Sequence, residues 1–65
     1  MFLIRLTQEN VSQYVGYSIL FNSRGKTQYS RILGVSDSRK SVRIQYEDLG
    51  RSLDINRKIY AVIED

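Results

Sequence analysis

The sequence contains no cysteine, histidine or proline, and these absences exclude whole classes of function. Without Cys or His there is no thiolate or imidazole ligand set for zinc, no disulfide framework and no Cys- or His-based nucleophile. The lack of Cys fits a reducing compartment. Without Pro, the turns must be built from Gly, Asn, Asp and Ser. We therefore expect a protein without a metal site or a cofactor.

Alanine and long apolar runs are also scarce. One alanine, Ala61, stands against seven Ile, five Val, five Tyr and two Phe. Branched and aromatic side chains of this kind suit a pleated, half-buried strand. The apolar stretch over residues 1–6 contains Arg5, and it is too short for a membrane span or for the apolar region of a signal peptide. We therefore expect an all-β, soluble, intracellular protein with no membrane association.

The length of 65 residues allows a single domain, spanning residues 1–65. A chain of this size buries only about 60% of the surface that its unfolded form exposes, so its stability is marginal. Small domains often add a disulfide or a metal, and neither is available here. Assembly into a homo-oligomer is the remaining means of stabilisation and stays an open alternative.

Alternating apolar residues predict a small five-stranded barrel with one short helical turn. The predicted strands cover residues 2–6, 17–22, 27–35, 41–46 and 59–64. Val11, Tyr14 and Val15 stand at helical spacing before Gly16, which predicts one or two helical turns there, with an extended segment as the alternative. Residues 47–54 are predicted to be a loop or a single helical turn.

The turns and the core follow from the same pattern. Gly25 supplies the positive φ that a tight hairpin needs, residues 36–40 form a second polar turn, and Gly34 is the expected position of a bend. The side chains predicted to point inward are Tyr17, Ile19, Phe21, Tyr29, Leu33, Val42, Ile44, Ile59 and Ile63. Tyr60 lies on the opposite parity from Ile59.

No pattern of catalytic residues is present. Gly25-Lys26-Thr27 resembles the end of a P-loop, but the earlier glycine and the following helix are missing, so a hairpin turn is expected. The Glu47-Asp48 pair is interpreted as a solvated turn, because neighbouring residues of an extended chain point apart. The eight serines have no His or buried Lys to act as a base. We expect a binding protein and not an enzyme.

The formal charge of +3 comes mostly from arginine, with seven Arg and three Lys against seven acids. Arginine forks onto phosphate and stacks on bases where lysine does not. The candidate nucleic-acid-binding residues lie in the predicted turns and are Arg24, Lys26, Arg39, Lys40, Arg57 and Lys58. The alternative for these cations is that they only keep the surface soluble.

Residues 14–44 resemble the first motif of the Sm-like RNA-binding barrels, which belong to the SH3-like class. The positions that align with the motif are Val15-Gly16, Ile19, Phe21, Gly25, Tyr29, Arg31, Leu33, Asp37, Lys40-Ser41 and Ile44. Arg31 replaces the family's glycine, and Lys40-Ser41 replaces its Met-Asn step. Residues 55–59 are similar to the second motif but are one residue shorter. The resemblance implies RNA binding at residues 37–41 and 56–58, where Arg39 would stack on a base.

A second resemblance is to Tudor domains, carried by residues 25–33 and 42–50. It implies an aromatic cage that holds a methylated Lys or Arg through cation–π contact. Leu49 stands where the Tudor family has a tyrosine. The candidate peptide-binding residues on this alternative are Tyr17 and Tyr46. Three hypotheses therefore remain: a module that binds RNA or DNA, a module that binds protein or peptide, and a structural subunit of a homo-oligomer.

Overall fold

The residues that the structure describes form six antiparallel strands and one 3-10 turn, which confirms the predicted all-β class. The structure is a computed structural model and describes residues 1–46 and 49–64. The elements are β1 (Phe2–Arg5), the 3-10 turn (Val11–Tyr14), β2 (Ser18–Ser23), β3 (Lys26–Val35), β4 (Ser41–Tyr46), β5 (Leu49–Asp54) and β6 (Ile59–Ile63). The strands form a single sheet in the order β1-β6-β2-β3-β4-β5.

The strand β5 corrects the sequence interpretation, which predicted a loop or a helical turn over residues 47–54. Leu49–Asp54 pairs with all of β4, from Ser41 opposite Asp54 to Tyr46 opposite Leu49. The segment alternates weakly and contains Gly50, so its own pattern does not favour a strand. Pairing with β4 and burial of Leu53 opposite Val42 override that local preference. Residues 47 and 48, including the Glu47-Asp48 pair, lie outside the described residues.

The sheet curls strongly but is not closed, so the predicted five-stranded barrel is corrected to an open six-stranded sheet. In the part of the chain that the structure describes, no pairing joins β5 to β1 or β6. The connection from β5 to β6 nevertheless crosses four strand spacings, about 19 Å in a flat sheet. It must also return one strand length, because β5 and β6 run in the same direction. Five residue steps reach at most about 18 Å, so only a curled sheet allows this connection.

The long strand β3 bends at a β-bulge. Ile32 pairs with Ile44 and Gly34 pairs with Arg43, which leaves Leu33 as the extra residue. The bend near Gly34 is therefore confirmed, but the prediction that Leu33 faces inward is wrong: Leu33 is 49% exposed, whereas Ile32 is 1% exposed. The extra residue shifts the inward–outward alternation of the side chains by one position. A prediction that assumes strict alternation along the whole strand cannot account for this shift.

Tyr29 and Tyr17 are also exposed, against the prediction that both face inward. Tyr29 has the parity opposite to Ile32 on β3 and is 67% exposed, and Tyr17 is 43% exposed. The core is instead mostly aliphatic and draws on β2 to β6, on the segment between β1 and β2, and on Ile55. Its buried members are Leu6, Val11, Ile19, Phe21, Ile32, Val42, Ile44, Leu53, Ile55, Ile59 and Ala61. Ile63 packs against this core, as predicted.

The 3-10 turn confirms the predicted helical turn in a shorter form. Val11 is completely buried in the core, and Tyr14 packs against it. The chain then leaves the turn at Gly16, whose φ of +90° is a conformation that favours glycine. In residues 1–46 and 49–64, no helix has the length and apolar character that a membrane crossing requires.

Candidate functional site

The turn between β2 and β3 is a two-residue hairpin that presents Arg24 and Lys26. Ser23 pairs with Lys26, so Arg24 and Gly25 are the two central residues. Their φ angles are +53° and +77°, as in a type I′ turn. Both cations are exposed, and the predicted turn at Gly25 is confirmed.

The turn between β3 and β4 presents Arg39 and Lys40. The Arg39 N–H donates to the Ser36 carbonyl over 2.9 Å, and Arg39 has a φ of +60°. The side-chain amide of Gln8 donates to the Ser38 carbonyl over 2.8 Å, which anchors this turn to the segment after β1. Both cations are exposed. Positive φ at a non-glycine residue thus occurs at Arg24 and Arg39, each at the tip of a hairpin.

The connection from β5 to β6 contacts both of these regions. The Ile55 N–H donates to the Lys40 carbonyl over 2.9 Å, next to Arg39. Two residues later, the Arg57 Nη2 donates to the Asn22 carbonyl over 3.0 Å, at the end of β2. Arg57 is half-buried and Lys58 is exposed. The segment 55–58 therefore links the three turns that carry the six predicted cations.

Two of the three turns also contain a carboxylate. Asp37 lies in the turn between β3 and β4, and it is exposed. Asp54 ends β5, where its Oδ1 accepts a hydrogen bond from the Asn56 N–H over 2.8 Å. Arg57 also has a structural role, because one of its N–H groups donates to Asn22. The remaining guanidinium donors of Arg57 are the ones that a phosphate could use.

Of the two candidate peptide-binding tyrosines, the structure describes the side chain of Tyr17. Tyr17 pairs edge-to-face with Tyr14, with ring centroids 5.2 Å apart and an angle of 83° between the rings. Tyr46 is the last residue of β4, and only its backbone is among the parts of the chain that the structure describes. The structure thus brings Tyr17 together with Tyr14, a pairing that the sequence did not indicate.

A second group of polar and aromatic residues lies on the face of the sheet opposite the core, which we call the outer face. On it, Tyr60 of β6 pairs with Leu20 of β2, and Leu20 pairs with Tyr29 of β3. Arg5 of β1 stands opposite Tyr60 at one end of this row. The sequence interpretation did not include these residues in a site. The parity of Tyr60, opposite to that of the buried Ile59, indicates that Tyr60 faces away from the core. Its alignment with Tyr29 depends on the registers of the β6–β2 and β2–β3 pairs, which the sequence alone does not determine.

Two shallow grooves run beside this row. The first has a volume of about 350 Å³, and its lining includes Leu3, Leu20, Thr27, Lys58 and Tyr60. The second is of similar size, about 350 Å³, and is lined by Ser18, Tyr29, Ser30, Arg31 and Gln45. Each groove therefore combines one tyrosine with one cation.

Charge is segregated across the sheet. Residues 2–5, 18–23, 26–35 and 59–63, which form β1, β2, β3 and β6 and are all described, contain no Asp or Glu. They contain Arg5, Lys26 and Arg31, and Lys58 directly precedes β6. In the same described part of the chain, no three carboxylates lie together as a metal site would require. These four strands therefore carry cationic and aromatic side chains and no carboxylate.

Comparison with known proteins adds no relative. No family model matches the sequence, and no curated protein or solved structure matches it.

Proposed function

We propose that this protein is a non-enzymatic module that binds RNA or DNA through the cations of its three linked turns. The observation that carries this proposal is the pair of hydrogen bonds from segment 55–58, one to Lys40 and one to Asn22. They connect turns that are far apart in sequence, so that Arg39, Lys40, Arg57 and Lys58 belong to neighbouring turns. Phosphate neutralisation by Lys and Arg is the main source of affinity in non-specific nucleic-acid binding.

The resemblance to Sm-like barrels supports the same proposal. In that family, RNA meets the turn after the second long strand and the turn before the last strand. Here these turns correspond to residues 37–41 and 56–58, and the Ile55–Lys40 hydrogen bond joins the backbone of the two regions. On this proposal the open sheet is a variant of the small SH3-like barrel, and Arg39 stacks on a base as an aromatic residue would.

Fluorescence anisotropy with labelled single-stranded and double-stranded oligonucleotides tests the proposal. We expect binding at about 50 mM salt that weakens steeply toward about 200 mM salt. If all six turn cations contact phosphate, the slope of log K against log salt is about −4 for single strands. If the wild-type protein binds neither oligonucleotide at low salt, the proposal is overturned.

A charge reversal in the turns gives the matched comparison. The double variant Arg39→Glu/Lys40→Glu should abolish binding at moderate salt and should flatten the salt slope. The charge-matched comparison uses the single variants: Arg39→Glu and Arg43→Glu each reverse one positive charge, and Arg43 lies at an exposed position of β4. Equal losses in the two single variants would show a general charge effect and would contradict a binding role of the turns.

A protein-binding module is the second candidate function, because Tyr17, which pairs with the partly buried Tyr14, is exposed. The ring centroids of Tyr14 and Tyr17 are 5.2 Å apart, and Tyr17 is 43% exposed. The pair therefore offers an aromatic surface to a peptide or a methylated side chain. On this alternative, binding of a trimethyl-lysine peptide has little salt dependence and is lost in Tyr17→Ala and in Tyr46→Ala, but it is kept in Lys40→Glu. Titration calorimetry with such a peptide separates the two functions.

A homo-oligomer stays a prediction, and β1 and β5 are the relevant elements. Each is at an edge of the sheet and pairs with one neighbour. Edge strands present unpaired N–H and C=O groups that a second copy could use. Light scattering tests this: a mass that is a multiple of 7.6 kDa supports assembly, and a monomer contradicts it.

A further inference from the structure

The outer face has the composition of a surface that stacks bases. Its central row contains Tyr60, Leu20 and Tyr29 on three adjacent strands. Adjacent strands are about 4.8 Å apart, so the backbones of the two tyrosines are about 10 Å apart, with Leu20 between them. Tyr29 is 67% exposed, so its ring is accessible to a ligand.

Cations accompany both tyrosines. Lys58 and Tyr60 line the first groove, and Arg31 and Tyr29 line the second. Arg5 stands opposite Tyr60 on β1. Because β1, β2, β3 and β6 contain no carboxylate, no negative charge on these strands offsets these cations. Two of the three turns differ in this respect, since Asp37 lies in one of them and Asp54 directly precedes another.

We infer that the outer face of β1, β6, β2 and β3 is a stacking platform for single-stranded nucleic acid, with Tyr29 and Tyr60 as the base-stacking residues. This inference rests on the proposed function and adds the form of the substrate and a second contact surface. Alternating aromatic and cationic groups fit a chain of bases joined by phosphates, because each base has a flat apolar face and each linkage has a negative charge. A duplex hides these faces, so the platform prefers a single strand.

The two grooves give the contacts in more detail. A base that lies on Tyr60 has Leu3 and Leu20 below it and Lys58 at its phosphate. A base that lies on Tyr29 has Arg31 beside it, whose guanidinium binds a phosphate or stacks on the next base. The platform therefore holds at least two nucleotides, and the turn cations bind phosphates beyond it.

Leucine and phenylalanine variants of the two tyrosines test the inference. The probe is a labelled single-stranded oligonucleotide of about 15 nucleotides, measured by anisotropy beside a duplex of the same sequence. We expect Tyr29→Leu and Tyr60→Leu each to weaken single-strand binding about 10-fold or more, while Tyr29→Phe and Tyr60→Phe keep most of the affinity. The duplex affinity should change little in all four variants.

Intrinsic fluorescence provides a second readout. The protein has five tyrosines and no tryptophan, so tyrosine emission is observed directly. A single strand that stacks on the platform should quench this emission, and the quenching should be mostly lost in the double variant Tyr29→Leu/Tyr60→Leu. Circular dichroism confirms that each variant is folded, and Tyr29→Leu is the safer variant because its ring is mostly exposed.

The outcomes separate this inference from the proposed function. If the leucine variants bind single strands as well as the wild type while Arg39→Glu/Lys40→Glu does not bind, the platform is refuted and binding through the turns stands. If the wild type binds no nucleic acid at low salt, both are overturned. If leucine and phenylalanine weaken binding equally, the hydroxyl groups matter and not the ring faces, which also overturns stacking.

Discussion

At the scale of single residues, the most informative feature is the positive φ of Arg24 and Arg39. An L-residue in this conformation costs about 1–2 kcal/mol, because its Cβ approaches a carbonyl oxygen. Glycine or asparagine would remove most of this cost. Both positions instead hold an exposed arginine at the tip of a hairpin. Backbone strain of this kind is frequent at functional sites, and it fits a role of both side chains in binding.

The variant Arg24→Asn should therefore be more stable than the wild type. Asn adopts the first central position of a type I′ turn readily, and Gly25 already occupies the second. We expect a gain of about 0.5–1 kcal/mol in the free energy of unfolding by urea titration. The same variant should bind nucleic acid more weakly, because it loses one cation.

The matched variant Arg24→Val should be less stable than the wild type, because a β-branched residue is disfavoured at positive φ. A stability order in which Val equals or exceeds Asn would contradict the type I′ turn at this hairpin.

Asn10 is the second residue with a testable role. Its Oδ1 accepts from the Thr7 N–H over 2.8 Å, and its Nδ2 donates to the Arg5 carbonyl over 3.1 Å. These bonds connect the end of β1 to the 3-10 turn. We expect Asn10→Ala to lower the free energy of unfolding by about 1–2 kcal/mol.

Asn10→Asp keeps the acceptor for Thr7 but places a carboxylate oxygen against the Arg5 carbonyl oxygen, so it should also be less stable than the wild type. Thermal melts measure all three proteins under the same conditions. Equal melting temperatures would show that the two bonds contribute nothing measurable.

At the scale of secondary-structure elements, β3 decides the shape of the sheet. Its first part pairs with β2 and its second part pairs with β4. The bulge at Leu33 allows both pairings, because it bends the strand and increases its twist. In a flat sheet, residues 55–58 would be too short to connect β5 to β6. The bulge contributes to the curl of the sheet, and the curl brings the candidate turns together.

Alanine variants at adjacent positions of β3 check this assignment. Ile32→Ala should cost about 2–4 kcal/mol, because Ile32 is fully buried opposite Ile44. Leu33→Ala should cost less than about 1 kcal/mol, because Leu33 is the exposed residue of the bulge. Urea unfolding gives both values. The reverse order of losses would place Leu33 in the core and would refute the bulge.

At the scale of the whole molecule, the first and last strands are paired. Phe2 pairs with Ile63, and Arg5 pairs with Tyr60. These partners are almost as far apart in sequence as the chain allows. A sheet with such non-local pairing gains little stability from partial folding. The chain must lose the conformational entropy of its long loops before the stabilising contacts form.

We therefore expect cooperative two-state folding with a rate in the range of milliseconds to seconds. Stopped-flow refolding in urea should give single-exponential phases and a V-shaped plot of log rate against urea. Hydrogen exchange should protect the amides of β1 and β6 together. A second kinetic phase, or a β1 that exchanges far faster than β6, would contradict this prediction.

Some features of the site follow from single residues and others do not. The exposure of Arg24, Lys26, Arg39, Lys40 and Lys58 follows from their positions in polar turns, and the structure confirms it. That Arg57 binds the Asn22 carbonyl could not be predicted, because the two residues are separated by 35 positions and meet only in the curled sheet. The row of Tyr60, Leu20 and Tyr29 likewise depends on the registers of two strand pairs.

The sequence by itself determined the all-β class, five of the six strands and the hairpin at Gly25, and it favoured a helical turn before Gly16. These features depend on local alternation and on glycine conformations, which act within a few residues. The tertiary structure alone decided the strand β5, the exposure of Tyr29 and Leu33, and the open curled sheet. Each of these depends on which strands pair and in which register. The extra residue of the bulge in β3 exchanges the inward and outward faces of the strand beyond it. The local pattern of apolar residues does not indicate this exchange.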